Sequence, residues 1–463
     1  MAEHCGYVVK VENLRKHPNA DKLYIATFFG NDTCVSLDTV KGEIGVYFPI
    51  DLQLSEEFCL ENHLLRKKPD GTPDTGYMDP NKRNVTAIRL RGEKSEGLFL
   101  PLQCLDYTGV DMDTVNIGDT ITVVNGHEIC KKYIPLRKHS AASPKVSKTR
   151  KIKVPIAPLF VEHADTEQLA YNKNAFKAGD LVEITLKMHG TSGRTGYLPR
   201  LVHMAADNIL AKMCYIKDQQ KKLNKIQKAM VKYFDKHSHP AYDWGLVSGT
   251  RRTVLDSFEG GFYGSNEFRE QYEKYFEGKL HKGEEIFYEI VGFTDQGIPI
   301  MPSANNSKLN NKDFIKQYGK TTVFSYGCEP DIKDKQSDIY VYRMTMTNED
   351  GNIVEYTPDY MRYRCEQMGV KYVPKFWVGY IPEDVESPGD WITEKAEEFY
   401  DGPDPVGKTH VREGVVCRII NRPSFAAYKH KNYDFKCLSG IAVAQAEESG
   451  ATDNVSEDVL SEM

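Results

Sequence analysis

The stretch Asp180-Leu181-Val182-Glu183-Ile184-Thr185-Leu186-Lys187-Met188-His189-Gly190-Thr191 decides how this chain is read. Val182, Ile184 and Leu186 alternate with polar positions, the pattern of a half-buried strand. The strand delivers Lys187 at its end, and Gly190 lets the backbone turn tightly just after it. A lysine that is partly desolvated and set beside other cations can lose its proton near neutral pH and act as a nucleophile. Alone, a K-x-x-G pattern is equally what an exposed lysine before a turn looks like.

The order of the residues that follow carries more weight. Glu289 lies in Phe287-Tyr288-Glu289-Ile290-Val291-Gly292, an apolar strand pattern. Glu413 lies in Arg412-Glu413-Gly414-Val415-Val416, and Lys429-His430-Lys431-Asn432 comes soon after. Attack of an amine on the α-phosphate of ATP needs cations to neutralise phosphate, a carboxylate to hold a metal ion, and polar groups to grip the ribose. A strand-end lysine, two acids and a K-x-K pair supply those parts in that order.

On these motifs the sequence resembles the covalent nucleotidyltransferase superfamily of RNA ligases, DNA ligases and mRNA capping enzymes. KMHGTS is similar to the K-x-H-G-T motif of the nick-sealing RNA ligases. The resemblance implies Lys187 as the AMP-carrying nucleophile, with His189 and Gly190 part of the same motif. FYEIVG resembles the F-G-E-x-x-G strand, implying that Glu289 binds ribose. REGVV resembles E-G-V-V, implying Glu413 as the metal ligand, and YKHKN resembles K-x-K-N, implying that Lys429 and Lys431 hold the AMP phosphate. GTRRTVL occupies the place of a nucleotide-contacting arginine, to be filled by Arg251 or Arg252, with a surface ion pair as the other reading. DIYVYRM occupies the place of the adenine-stacking residue. There Ile339, with Tyr340 beside it, aligns best, and strand core is an equal reading. ATP and Mg²⁺ or Mn²⁺ are the implied cofactors. The family often has an acid before the lysine, where Leu186 stands, and an asparagine after H-G-T, where Ser192 stands.

Residues 1–134 read as short strands between turns: YVVKVENL, KLYIATFF, TCVSLDTV, and VTAIRLR paired with LFLPL as a hairpin across Gly92-Glu93-Lys94-Ser95-Glu96-Gly97. His17-Pro18-Asn19-Ala20-Asp21 is a turn by chemistry, since Pro18 fixes φ and Asn19 and Asp21 can cap it. The segment VENLRKHPNADKL also resembles OB-fold tRNA-binding modules. The expected fold is α+β: an all-β OB-like barrel over 1–134, then a ligase domain of antiparallel sheets and helices over 156–445. Residues 135–155, rich in Ser, Lys, Arg and Pro, read as a solvated basic tether, with a strap along nucleic acid as the other reading. Residues 446–463 read as an acidic disordered tail. Helices are expected over 205–236, over NEFREQYEKYFEG, and over DWITEKAEEFY with Asp390 as its N-cap.

The formal charge of −6 is misleading for a nucleic-acid enzyme. Glu447, Glu448, Asp453, Glu457, Asp458 and Glu462 sit in the tail without a balancing Lys or Arg, so the rest of the chain is neutral with local basic stretches. Ten cysteines are scattered with no C-x-x-C, which argues against a structural zinc site. No apolar run is long enough to span a bilayer and the N-terminus lacks a secretory pattern, so an intracellular, soluble protein with no membrane partner is expected. The expected function is an ATP-dependent RNA ligase that seals nicks in RNA-containing duplexes. Other covalent nucleotidyl transfer, either DNA ligation or capping, and a catalytically inactive nucleic-acid-binding protein are the alternatives.

Overall fold

The computed structural model describes residues 4–134, 155–160, 162–164, 166–206, 238–255, 258 and 267–449. Its organising feature is a pair of open, mainly antiparallel sheets, and a four-residue link is one of the connections between them. The first, five-stranded, runs in the order Glu167–Gln168, Ala426–Lys431, Gly414–Ile419, Leu181–Leu186, Lys375–Tyr380. The second, seven-stranded, centres on Thr191–Ala206, flanked by Ser238–Gly249 on one side and Glu284–Gly292 then Ser337–Thr347 on the other. Leu181–Leu186 belongs to the first sheet and Thr191–Ala206 to the second, so residues 187–190 are the crossing. Gly190 is required there: a Cβ would stand 2.2 Å from the carbonyl oxygen of Ile290.

Strand alternation sorts the side chains. Val182 and Ile184 are fully buried, packing with Ile392 and Ala396 of the helix Pro388–Glu397. Glu183, Thr185 and Lys187 take the opposite parity and line the space between the sheets. In the larger sheet, Ile286, Tyr288 and Ile290 enter the main core, whereas Glu289 faces the same intersheet space. The cores are thus on the outer faces and the polar residues between them.

Several local expectations change. The helix Pro388–Glu397 is capped by Ser387, not Asp390. Ser387 Oγ accepts the Asp390 N–H at 3.4 Å and donates to its carboxylate at 2.6 Å. Pro388 at the first helical position fixes that start one turn earlier than the apolar pattern suggests. NEFREQYEKYFEG forms the helix Glu267–Phe276. Of the helix expected over 205–236, the first two residues belong to the strand Thr191–Ala206 and the remainder lies outside the described residues. So does the tether, apart from Pro155. The last helix, Tyr433–Ser449, runs past residue 445, and the tail from 450 lies outside the described residues.

The N-terminal strands form open sheets, and among the described residues none closes on itself. Thr120–Ile121, Gly6–Lys10, Ile44–Phe48 and Leu98–Pro101 make one sheet; Leu14–Lys16, Leu23–Phe28 and Asn31–Ser36 make another. Tyr7, Val9, Phe28, Val35, Tyr47 and Phe99 pack in one core drawn from both. The expected hairpin is shorter. Ile88–Leu90 pairs with Glu93–Ser95 across Arg91 and Gly92, both at positive φ, and Leu98–Pro101 pairs with Ile44–Phe48 instead. Two successive positive φ values are what a tight hairpin turn requires. The HPNAD turn docks here: buried His17 bonds the Leu90 carbonyl at 3.0 Å, and Asn19 donates to that of Arg91.

The N-terminal region is tied to the final helix. Arg89 pairs with Asp434 at 2.6 Å and Lys436 with Glu96 at 2.6 Å. The buried Tyr433 hydroxyl donates to the Ile88 carbonyl and accepts the Ser95 N–H at 3.4 Å. Ala87 and Tyr133 join the main core. Tyr433→Phe keeps the ring and removes both bonds. It should lower unfolding free energy by about 1–2 kcal/mol in urea titration; unchanged stability would show that this contact adds nothing.

Candidate active site

The link 187–190 gathers charge from four strands at one end of the intersheet cavity. Lys187 Nζ lies 2.9 Å from Glu413 Oε1, and Lys431 Nζ lies 3.5 Å from the same oxygen. His189 Nδ1 is 3.5 Å from Glu413 Oε2. The geometry follows from register. Gly414, at φ +143°, pairs with Lys431, and its carbonyl accepts the Lys187 N–H at 3.0 Å. A Cβ at Gly414 would stand 2.1 Å from the His430 carbonyl, so this close approach needs glycine. Glu413 is fully buried. Burial alone would raise its carboxyl, but Lys187, Lys431 and His189 overcome that and lower it to about 2. It is therefore ionised at neutral pH.

The link itself is held rigidly. The Gly190 N–H donates to Glu289 Oε1 at 3.0 Å, and the His189 N–H donates to the Tyr326 hydroxyl at 2.7 Å. The His189 ring sits edge-on between Phe324 and Phe435, at 4.6 and 4.7 Å. Arg269, buried, donates to the Ser192 carbonyl and to Thr191 Oγ1, both at 2.7 Å. Lys187 thus leaves a braced backbone, which limits where its amine can go.

Of the sequence-predicted residues, Lys187, Glu289 and Arg251 line the cavity. Glu413, His189 and Lys431 cluster at its Lys187 end, and Gly190 fixes the crossing. Lys429 is buried on the same strand parity as Ala427 and Lys431, opposite Val416. Arg252 is exposed and lies outside the cavity lining. Ile339 and Tyr340 are buried in the main core and do not line the cavity. The aromatic residue of their strand that does is Tyr342. A register shift pairs Phe287 with Arg343 and Tyr288 with Val341, leaving Tyr342 as the extra residue of a β-bulge. Its hydroxyl is 3.2 Å from Ser192 Oγ. Motif spacing carries no sign of a bulge, so the wall residue stands three positions after Ile339.

Other cavity residues came without a motif. Glu183 shares strand parity with Lys187 and pairs with Arg362 at 2.8 Å, so alternation alone could have found it. Phe425 lies beneath the Arg343 and Arg418 guanidiniums, 4.5 and 4.9 Å from its centroid. His163 enters from the segment after the tether, and no local pattern marks it.

The described residues contain no group of three or more His, Cys, Asp or Glu placed to cage a metal. Glu413, a single ionised carboxylate, fits instead a divalent cation that keeps most of its water and is shared with substrate phosphates. A second cleft, lined by Asp51, Lys82, Lys308, Lys431 and Lys436 among others, opens between the N-terminal region and the final helix. Lys431 belongs both to this cleft and to the Glu413 cluster.

Glu413→Gln removes the anion that Lys187 and Lys431 share. It should cost about 3 kcal/mol at pH 7, the order expected for breaking a buried ion pair. The native carboxyl lies below its ordinary 4.5. Its stabilisation is therefore fully present above about pH 4.5 and is lost as pH falls toward 2. Unfolding free energy measured from pH 6 to pH 2.5 should fall less steeply in the Gln variant than in the parent; parallel curves would contradict the assigned cluster.

No family model matches the chain, and no curated protein matches it. Solved structures of similar fold are those of Naegleria gruberi RNA ligase. A variant with ATP and Mn has a TM-score of 0.52 and 15% identity, covering 93% of this chain and 98% of that one. The form with PPi has 0.51 and 14%, covering 94% and 98%, and a variant with AMP and Mn has 0.51 and 15%, covering 93% and 98%. At that identity the likeness is one of architecture: this chain has the fold of an RNA ligase.

Proposed function

We propose that this chain is an ATP-dependent RNA ligase that works through a lysyl-AMP intermediate on Lys187. The observation that carries the reading is the convergence of Lys187, Glu413, Lys431 and Glu289, on or at the ends of four separate strands, beside one cavity between the sheets. The likeness in fold to an RNA ligase seen with ATP, AMP and PPi supports it.

In the first step Lys187 Nζ attacks the α-phosphorus of ATP, a P–N bond forms, and pyrophosphate leaves with the electron pair of the broken P–O bond. Lys429 and Lys431 offset charge on the phosphates, and Glu289 holds the ribose. In the second step the 5′-phosphate oxygen of a nucleic-acid end attacks the same phosphorus and Lys187 departs. In the third, a 3′-hydroxyl attacks the adenylated 5′-phosphate, forms the phosphodiester, and expels AMP. A divalent cation, Mg²⁺ or Mn²⁺, held by Glu413 beside the nucleotide phosphates would neutralise their charge and draw the carboxylate away from the lysine.

The substrate we assign is an RNA-containing duplex with a nick. The lysine-lined cleft against the N-terminal region adjoins the phosphate end of the cavity, which suits it to a nucleic-acid end. The N-terminal region, OB-like in its HPNAD segment, would act as part of that surface.

Lys187→Ala should abolish covalent labelling by radiolabelled ATP, read on a denaturing gel. It should still seal a nick whose 5′ end is already adenylated. Normal labelling of this variant would remove Lys187 from its role, and a parent chain that stays unlabelled would favour a non-catalytic binding protein.

A nick with ribose on its 3′-hydroxyl side should be sealed at least ~10-fold faster than an all-DNA nick, because the 2′-hydroxyl offers contacts that DNA lacks. Equal rates would point to a general DNA ligase, and preference for GTP over ATP in labelling to capping chemistry.

A further inference from the structure

The two sheets present their cavity residues in matched order away from Lys187. On the five-stranded sheet the Lys187 N–H bonds the Gly414 carbonyl, then Thr185 pairs with Val416 and Glu183 with Arg418. On the other sheet Ser192 pairs with Glu289 and Arg194 with Phe287. At roughly 3.3 Å per residue, Phe287 lies about 7 Å beyond Glu289. Over Phe287 sits His163, with ring centroids 5.3 Å apart, and it also meets Tyr342 at 5.2 Å and Phe425 at 5.7 Å. Val416, Tyr342, Glu183 and His163 all line this cavity, so a nucleotide with its phosphate at Lys187 and its ribose at Glu289 would direct its base toward them.

Glu183 and His163 have opposite hydrogen-bonding character. Glu183, 3% exposed, is a carboxylate with Arg362 as its counter-ion at 2.8 Å, and a carboxylate only accepts. His163 Nδ1 lies 3.0 Å from Arg343 Nη1. A guanidinium only donates, so Nδ1 must accept, and the ring proton is on Nε2. Arg343 is itself fixed by Glu355, with Nε 3.1 Å from both carboxylate oxygens. His163 is thereby a neutral donor of set orientation.

We infer that Glu183 and His163 form a base-reading pair. Glu183 accepts from the 6-amino group of adenine, and His163 Nε2–H donates to the adjacent ring nitrogen. This deepens the ligase reading and rests on it. Hypoxanthine and guanine present the reverse edge, a carbonyl oxygen at position 6 beside an N1–H donor. The oxygen would meet a carboxylate, and the N–H would meet another donor. A site built to satisfy an amino group rejects the base that lacks it, because its own buried polar groups are left unpaired.

The test uses the full chain and compares covalent transfer to Lys187 from α-labelled ATP and ITP, which differ only at this edge. Below saturation, ITP should react at least ~100-fold more slowly than ATP. Glu183→Gln, which can donate to a 6-oxygen, should narrow the ATP-to-ITP ratio at least ~10-fold. His163→Phe, which removes the donor, should narrow it through the N1 position. Thermal unfolding checks that each variant is folded, and the parent's own ratio needs no variant. Equal use of ATP and ITP by the parent overturns the inference while leaving the ligase reading intact. So does an unchanged ratio in folded Glu183→Gln and His163→Phe. A parent that transfers neither nucleotide overturns both.

Discussion

One buried carboxylate organises the reactive end of this molecule. Glu413 has no solvent to stabilise its charge, so it must be neutralised by protein, and Lys187, Lys431 and His189 all turn toward it. Two lysines at such close range would repel in a partly desolvated space unless an anion lay between them. The carboxylate thus allows cations to be concentrated where phosphate charge must later be met. The same pairing holds the Lys187 side chain against a counter-ion at the crossing. In the proposed reaction nucleotide phosphates would compete with Glu413 for the cations, linking substrate binding to release of Lys187 by ordinary Coulomb attraction.

Precision at that cluster comes from the backbone around it. The crossing at 187–190 is only four residues long; its amides donate to the Tyr326 hydroxyl and to the Glu289 carboxylate, and Arg269 donates to Thr191 just beyond it. Gly190 and Gly414 stand where any Cβ would strike a carbonyl oxygen at about 2 Å, so the strands approach more closely than side chains normally allow. Strand parity then separates function from stability. Val182 and Ile184 serve the core while Glu183, Thr185 and Lys187 serve the cavity, on a single six-residue strand and its end. A substitution at one parity should act on folding, and at the other on ligand.

The N-terminal region is not an appendage on a tether. Its contacts with the helix Tyr433–Ser449 include two ion pairs, the Tyr433 hydroxyl and shared apolar packing. That helix begins two residues after Lys431, so the region that forms the lysine-lined cleft also buttresses a lysine of the Glu413 cluster. Separating the two would disturb both the cleft and the strand end that positions Lys431.

What the sequence determined by itself was the set of parts. Alternation announced the strand Leu181–Leu186 and placed a lysine at its end; the glycines, the two acids and the K-x-K pair followed at readable positions because each carries a local physical requirement. Helix and strand periods likewise announced Glu267–Phe276, Glu284–Gly292 and Gly414–Ile419. Tertiary structure decided the rest. The bulge that brings Tyr342 to the cavity, while Ile339 and Tyr340 stay in the core, depends on the register between two strands about fifty residues apart. The N-terminal strands were legible one by one, yet their partners were not, since any alternating strand can pair with several others and only packing chooses. His163 meets Arg343 through a hydrogen bond across 180 residues, and no pattern confined to neighbouring residues can encode such a contact.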